Sequence, residues 1–298
     1  MSVIEVNHLT KDYGHGRGIF DVSLQVNKGE VLSFLGPNGA GKTTTIRHLV
    51  GFSNPEKGSA TINGLSCNKQ TSKILENVGY LPGEVALPEG LTGLEFIQMM
   101  QGLRNSYNQQ RLDYLLDIFQ LDPKGKIKRM SLGNKRKLAV VTAFMADPDI
   151  LILDEPTSGL DPVMQEVFIK FMKEEKRQGK TILLSSHIFS EVDAICDTIA
   201  IIKDGKIVST VKAADIRYNK NKMFHITFES AREVKLFEKE SDITVSYSDI
   251  EKHVAEVGIH DKEINHLLTI LSKYHIKSFR EIKFTLESYF MRFYEKKA

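Results

Sequence analysis

The chain has 298 residues, 41% of them hydrophobic and 26% charged, and 40 Lys+Arg against 38 Asp+Glu leave a net charge of +2. This composition excludes a disordered chain, and the near-neutral balance supplies no global field for nucleic acid. Two cysteines, Cys67 and Cys196, are too few for a disulfide framework and fit a reducing compartment.

The opening MSVIEVNHLTKDYG has no basic segment followed by an apolar one, so no signal peptide is expected. Val3, Ile4 and Val6 suggest a strand. Phe20, Val22, Leu24 and Val26 alternate with polar residues, the pattern of a half-buried strand. Lys28-Gly29-Glu30 turns the chain into Val31–Leu35, an apolar run suited to a buried strand. That run ends in GPNGAGKTT, and a helix through Ile46 and Leu49 follows, stopping near Gly51. Residues 85–147 read as mostly helical. Thr92 and Glu95 form a capping-box pattern, and Leu112, Leu115, Leu116 and Phe119 share one helical face. Ser131 opens another helix that runs to about Met145. Apolar stretches such as 138–146 fall far short of the roughly 20 residues that span a bilayer.

Strand signals return at 150–153. Asp161-Pro162 starts a helix with proline at its favoured first position, and Gly179 ends it. Residues 181–185 and 198–202 read as strands, and Asp204-Gly205 is a hairpin turn signal. This alternation predicts a largely parallel α/β core. After Asn219-Lys220-Asn221-Lys222 the character shifts. Strands at 223–228, 243–247, 253–257 and 278–284, with helices at 231–239 and 261–273, give the order β-α-β-β-α-β of a small ferredoxin-like domain. A last helix begins at Thr285. The expected division is therefore 1–218 and 219–298, with a helical subdomain at about 85–147.

Gly36-Pro37-Asn38-Gly39-Ala40-Gly41-Lys42-Thr43 matches G-x-x-x-x-G-K-[ST], between an apolar strand and a helix. Small residues let the backbone N–H groups of this loop, which runs on to Thr44, curl around nucleotide phosphates, and the helix N-terminus adds partial positive charge. Lys42 can reach the β- and γ-phosphates, and the Thr43 hydroxyl can hold Mg²⁺. The strand 150–153 delivers Asp154 and Glu155 to its C-terminal end. There Asp154 can hold Mg²⁺, directly or through water, and Glu155 can activate the attacking water as a general base.

Further elements occur in a fixed order around these two. Tyr13 precedes the phosphate loop. Met130-Ser131-Leu132-Gly133-Asn134, Ser158-Gly159-Leu160-Asp161 and His187 follow it. In that order, residues 1–218 resemble the nucleotide-binding subunit of an ATP-binding-cassette (ABC) transporter. The resemblance implies a P-loop NTPase fold, with a RecA-like core and a helical subdomain, joined here to a small C-terminal α+β domain. It implies ATP and Mg²⁺ as ligands, with Tyr13 stacked on adenine and His187 bonded to the γ-phosphate. It implies that Ser131 and Gly133 face the γ-phosphate of a second cassette, identical or unlike, and that Ser158, Gly159 and Asp161 lie at the dimer interface. Integral membrane transporter subunits are the other implied partners, with no nucleic acid. The implied location is cytoplasmic and peripheral, on the inner face of the cell membrane.

Two departures stand out. Leu132 and Asn134 replace a glycine and a glutamine of the family's signature. Where the family commonly has a glutamine, Tyr80-Leu81-Pro82 is followed by Gly83 and Glu84, so Glu84 is the expected substitute near Mg²⁺. These variants, with the tail Thr285-Leu286-Glu287-Ser288-Tyr289-Phe290, resemble stand-alone ATPase subunits of bacterial systems that export antibiotics, peptides or toxins. The competing expectations are a soluble ABC ATPase acting on ribosomes or DNA, and a regulatory cassette that barely hydrolyses ATP. Lys124, Lys126, Lys128, Arg129, Lys135, Arg136 and Lys137 are expected to form a solvated basic face.

Overall fold

The computed structural model describes residues 1–104, 107–218, 220–240 and 242–294. Asn219, at the expected division, lies outside the described residues. The chain separates into two compact units, the first Met1–Ala213 and the second from Ala214 onward.

The first unit begins β1 (Ser2–Asp12), β2 (Gly18–Asn27), β3 (Val31–Leu35), α1 (Lys42–Leu49), β4 (Lys57–Ile62), β5 (Leu65–Ser66), α2 (Thr71–Glu76) and β6 (Val78–Leu81). A helical segment follows: α3 (Gly93–Arg104), α4 (Gln109–Ile118) and α5 (Leu132–Phe144). The chain returns through β7 (Ile150–Asp154), α6 (Pro162–Arg177), β8 (Thr181–Ser186), α7 (Phe189–Ile195), β9 (Thr198–Lys203) and β10 (Lys206–Lys212).

The central sheet has the order β10-β9-β3-β8-β7-β6, and its strands from β9 to β6 are parallel. Strands β3, β7 and β8 are buried at every position, which is why they read as mainly apolar runs without a polar face. Only β10 runs antiparallel, returned by a turn whose Asp204 and Gly205 both have positive φ. A second, antiparallel sheet has the order β2-β1-β4-β5. In β2, Val22, Leu24 and Val26 are buried while Asp21, Ser23 and Gln25 are exposed. Both sheets contribute to one apolar cluster, which includes Ile4, Val26, Phe34, Ile46 and Ile152.

The Thr92–Glu95 box forms ahead of α3: Thr92 N–H donates to Glu95 Oε2 at 2.7 Å, and Glu95 N–H to Thr92 Oγ1 at 3.2 Å. Phe119 and Phe144 meet Phe171 of α6, with ring centroids at 5.5 and 4.9 Å. This aromatic contact seats α5 against α6, with Leu138, Val140, Val141 and Phe144 buried.

The division between the units falls within α8 (Ala213–Arg217). The second unit continues with β11 (Asn221–Phe228), α9 (Ala231–Phe237), β12 (Val245–Asp249), β13 (Val254–His260), α10 (Ile264–Leu271), β14 (Ile276–Ile282) and α11 (Leu286–Met291). Its strands pair antiparallel in the order β12-β13-β11-β14, the ferredoxin-like arrangement. Phe224, Ile226, Phe228, Phe237 and Leu267 fill its core. The helix expected over 261–273 is shorter than its pattern. Residues 261–263 form a 3-10 turn closed by a capping box between His260 and Glu263, and α10 starts after it. Among the described residues, no helix is long and apolar enough to cross a membrane.

Candidate functional site

β3 delivers the glycine-rich loop to the end of the parallel sheet. A Cβ on Gly36 would stand 2.5 Å from the Ile202 carbonyl oxygen, and Gly41 has φ +110, so both positions require glycine. Pro37, Asn38 and Gly39 are exposed at the crest of the loop, while Ala40 is buried beneath it. α1 starts at Lys42, with Thr43 and Thr44 half-buried in its first turn. Its leading N–H groups have no intrahelical partners, which suits an anion. The Lys42 side chain is 5% exposed. Its ammonium donates to the carbonyls of Gly36 at 2.6 Å and Pro37 at 3.2 Å, and lies 2.8 Å from Glu155 Oε1.

Asp154 ends β7 and is fully buried. Ser185 of β8 donates from Oγ to Asp154 Oδ1 at 2.5 Å, while Oδ2 has no hydrogen-bond partner among the described residues. A Cβ on Gly83 would lie 3.0 Å from that free oxygen, so glycine keeps this side of the carboxylate open. A buried carboxylate oxygen left bare is costly, and a hard cation is the partner it fits. Glu155 has φ +47, a left-handed conformation uncommon outside glycine. Its N–H is held by the Ser185 carbonyl at 3.2 Å and the Ser185 hydroxyl at 2.9 Å. This turn aims the Glu155 side chain between two partners, Lys42 on Oε1 and His187 Nδ1 on Oε2 at 2.6 Å. His187 follows β8, and its side chain is 49% exposed. The structure thus gathers Lys42, Asp154, Glu155 and His187 into one cluster.

The other expected residues sit elsewhere in the first unit. Tyr13 is 51% exposed between β1 and β2, with Lys11 Nζ 5.8 Å from its ring. Glu84 is exposed after β6, and it is Gly83 rather than Glu84 that lies against Asp154. Ser131 caps α5 by accepting from Asn134 N–H at 3.2 Å. Ser131 is exposed, and Leu132 beside it is 70% exposed. Gly133 adjoins the loop after β7: a Cβ there would lie 3.4 Å from the Gly159 carbonyl oxygen. Ser158 and Gly159 face solvent, and Asp161 caps α6 by accepting from Met164 N–H at 3.0 Å. Among the described residues, no hydrogen bond joins Ser131 or Gly133 to residues 36–44.

Sequence reasoning missed three members of this neighbourhood. Ser185 orients both acids, as described above. Arg136, expected on a solvated face, is instead 2% exposed. The helical period explains this: α5 turns Arg136 to the same side as the buried Val140 and Phe144. Burial pushes its guanidinium down to about 10, with Asp154 and Glu155 opposing the shift, so it remains charged at neutral pH.

The third is Glu191 in α7, also buried, which accepts from Ser186 Oγ at 2.7 Å and Thr157 Oγ1 at 3.1 Å. Burial raises its carboxyl from 4.5 to about 7, against the lowering effect of the two hydroxyls. Between those values the folded state binds more protons than the unfolded one, so stability falls as pH rises through this window. Replacing Glu191 by Gln removes that loss. Glu191→Gln is expected to be near neutral at pH 4.5 and to stabilise the protein by about 3 kcal/mol at pH 8. Denaturant titrations at the two pH values check this; equal effects at both would contradict it.

The ABC transporter family model matches residues 19–158. Over 297 residues the chain is 30% identical to the uncharacterized ABC transporter ATP-binding protein YhcH of Bacillus subtilis (strain 168), covering 99% of this chain and 95% of the relative. It is 32% identical over 246 residues to the bacitracin transport ATP-binding protein BcrA of Bacillus licheniformis, covering 81% of this chain and 80% of that one. A solved ATP binding subunit of an ABC transporter matches with TM-score 0.66 and 31% identity, covering 72% of this chain and 92% of that chain. The phosphate loop and the two acids fall within the span the family model matches, and with a relative 30% identical over 99% of its length the chain belongs to the ATP-binding proteins of the ABC transporter family.

Proposed function

We propose that this subunit hydrolyses ATP to drive export of a small molecule or peptide through separate membrane subunits, working in a pair of cassettes. The convergence of Lys42, Asp154, Glu155 and His187 beside the phosphate loop carries this reading. Phosphates of ATP settle against the N–H groups of residues 38–44, and the Lys42 ammonium exchanges Glu155 for phosphate oxygens. Released from Lys42, the Glu155 carboxylate accepts a proton from the attacking water, while His187 holds its other oxygen in place. The Thr43 hydroxyl and the open oxygen of Asp154 are the groups that would hold Mg²⁺. When bound, Mg²⁺ supplies positive charge to the β- and γ-phosphate oxygens.

The exposed end of α5 supports the dimer. Ser131 and Gly133 are free to meet ATP held by a second cassette, identical or unlike, and Ser158, Gly159 and Asp161 lie on the adjoining loop. ATP that contacts both cassettes only when they are closed shifts the population toward the closed pair. For the membrane subunits, the first unit offers a groove of about 460 Å³ lined by residues that include Tyr80, Val85, Leu87, Phe96, Met100 and Arg104. Its apolar lining suits one face of an amphipathic segment. This docking puts the subunit at the cytoplasmic face of the membrane.

The test is ATP hydrolysis by the subunit assembled with its membrane partners in vesicles. Turnover that requires both Mg²⁺ and Lys42 is expected, and turnover unaffected by loss of either would sink the reading. Co-sedimentation with ribosomes instead of membranes would also overturn it. Within the groove, Met100→Glu is expected to leave ATP binding intact and to weaken membrane association roughly tenfold or more, since it buries a charge at the contact. A flotation assay reads the difference, and undiminished association would rule out this docking site.

A further inference from the structure

We propose that Arg136 is a positioning residue for hydrolysis: its guanidinium fixes the backbone that aims Asp154 and Glu155, and ties that backbone to the signature helix. This rests on the reading of those two acids given above. A guanidinium has five N–H donors. In Arg136 the donors meet five backbone carbonyls: Nε bonds Pro156 at 3.0 Å, Nη1 bonds Pro82 at 2.5 Å and Gly83 at 3.2 Å, and Nη2 bonds Asp154 at 3.0 Å and also Glu155.

Two features make this more than a satisfied buried cation. First, the carbonyls of three successive residues, 154 to 156, converge on one group. Like dipoles aimed at a single point repel, so this arrangement needs a positive charge at its focus. The turn is also the one that holds Glu155 at φ +47 and directs its carboxylate to Lys42 and His187. Second, the same guanidinium holds Pro82 and Gly83, the segment that borders the open oxygen of Asp154. One side chain therefore sets the spacing of the two backbone segments that flank the Mg²⁺ candidate. Arg136 lies on α5, whose first residues carry the exposed signature, so a tilt of α5 is transmitted to the acids.

Lysine keeps the charge but has three donors and no planar fork, so Arg136→Lys leaves at least two carbonyls unbonded. In the full chain, Arg136→Lys is expected to fold, to hold ATP within about twofold, and to lose roughly 100-fold in kcat, the scale of a small misplacement of reacting groups. The Mg²⁺ concentration at half-maximal ATP binding is expected to rise several-fold. A purely structural role predicts a different result: activity falling only in proportion to the folded fraction, with the Mg²⁺ midpoint unchanged.

Arg136→Ala titrated with millimolar guanidinium supplies the second arm. Recovery of the Mg²⁺ midpoint and of kcat with guanidinium, and not with ammonium, is expected. A folded Arg136→Lys protein with wild-type kcat and Mg²⁺ midpoint overturns the proposal, and so does the absence of guanidinium rescue. Glu155→Gln measured in parallel separates the two readings. Wild-type turnover in that variant removes Glu155 as the base, while the effect of Arg136 on the Mg²⁺ midpoint for binding is judged without any hydrolysis.

Discussion

Glu155→Gln is expected to bind ATP at least as tightly as the unaltered chain and to lower kcat by a factor of roughly 10²–10⁴. The amide has the shape of the carboxylate and can still meet His187, but it cannot take a proton from water. In the folded chain Glu155 also holds the Lys42 ammonium at 2.8 Å. ATP must break that pair before Lys42 can serve its phosphates. Removing the charge on Glu155 frees Lys42 in advance and takes a negative group away from the phosphates. ATP affinity is therefore expected to rise several-fold while turnover collapses. Equilibrium titration with a fluorescent ATP analogue reads the first effect, and phosphate release reads the second. Light scattering after size-exclusion chromatography should show an ATP-dependent pair that persists, because hydrolysis no longer reopens it. Normal phosphate release would exclude Glu155 as the base.

The strands that bear this site were legible because burial on both faces leaves an unambiguous pattern. Residues 150–153 are uniformly apolar up to the acids they deliver, and Val31–Leu35 is apolar but for the buried Ser33. The antiparallel strand β4 and the parallel edge strand β6 were not legible. β4 begins Lys57-Gly58-Ser59, all exposed, and β6 has only four residues, so neither makes a periodic signal. The motif residues Lys42, Asp154 and Glu155 were readable by spacing. Ser185 was not, because its role depends on the register that sets β8 beside β7, with Asp154 opposite Ser185. Arg136 was misread for a related reason. In a run of basic residues one-dimensional reading sees a charged face, whereas the 3.6-residue period turns one member of the run inward. Glu191, four residues beyond His187, could have been suspected as an acid on the inner face of a short helix. Its burial is a tertiary fact that the sequence pattern does not reveal.

Lys42→Ala is expected to abolish hydrolysis and to weaken ATP binding by about 100-fold or more, consistent with two or more charge-assisted hydrogen bonds at roughly 1.5–3 kcal/mol each. The loss has two parts. The phosphates lose a cation, and Glu155, with its side chain only 16% exposed, is left unneutralised beside them. The second part can be isolated. In Lys42→Ala/Glu155→Gln the repulsive carboxylate is gone, so ATP affinity is expected to recover by tenfold or more over the single Lys42→Ala variant, while hydrolysis stays absent. A double-mutant cycle on binding constants, at a fixed Mg²⁺ concentration, measures the coupling directly. If the double variant binds ATP no better than Lys42→Ala alone, the 2.8 Å contact between these two groups has no bearing on nucleotide affinity. If it recovers, the pair is a latch: the phosphate that draws Lys42 away is also what releases Glu155 to act on water, so the base becomes available only when there is a phosphate to attack.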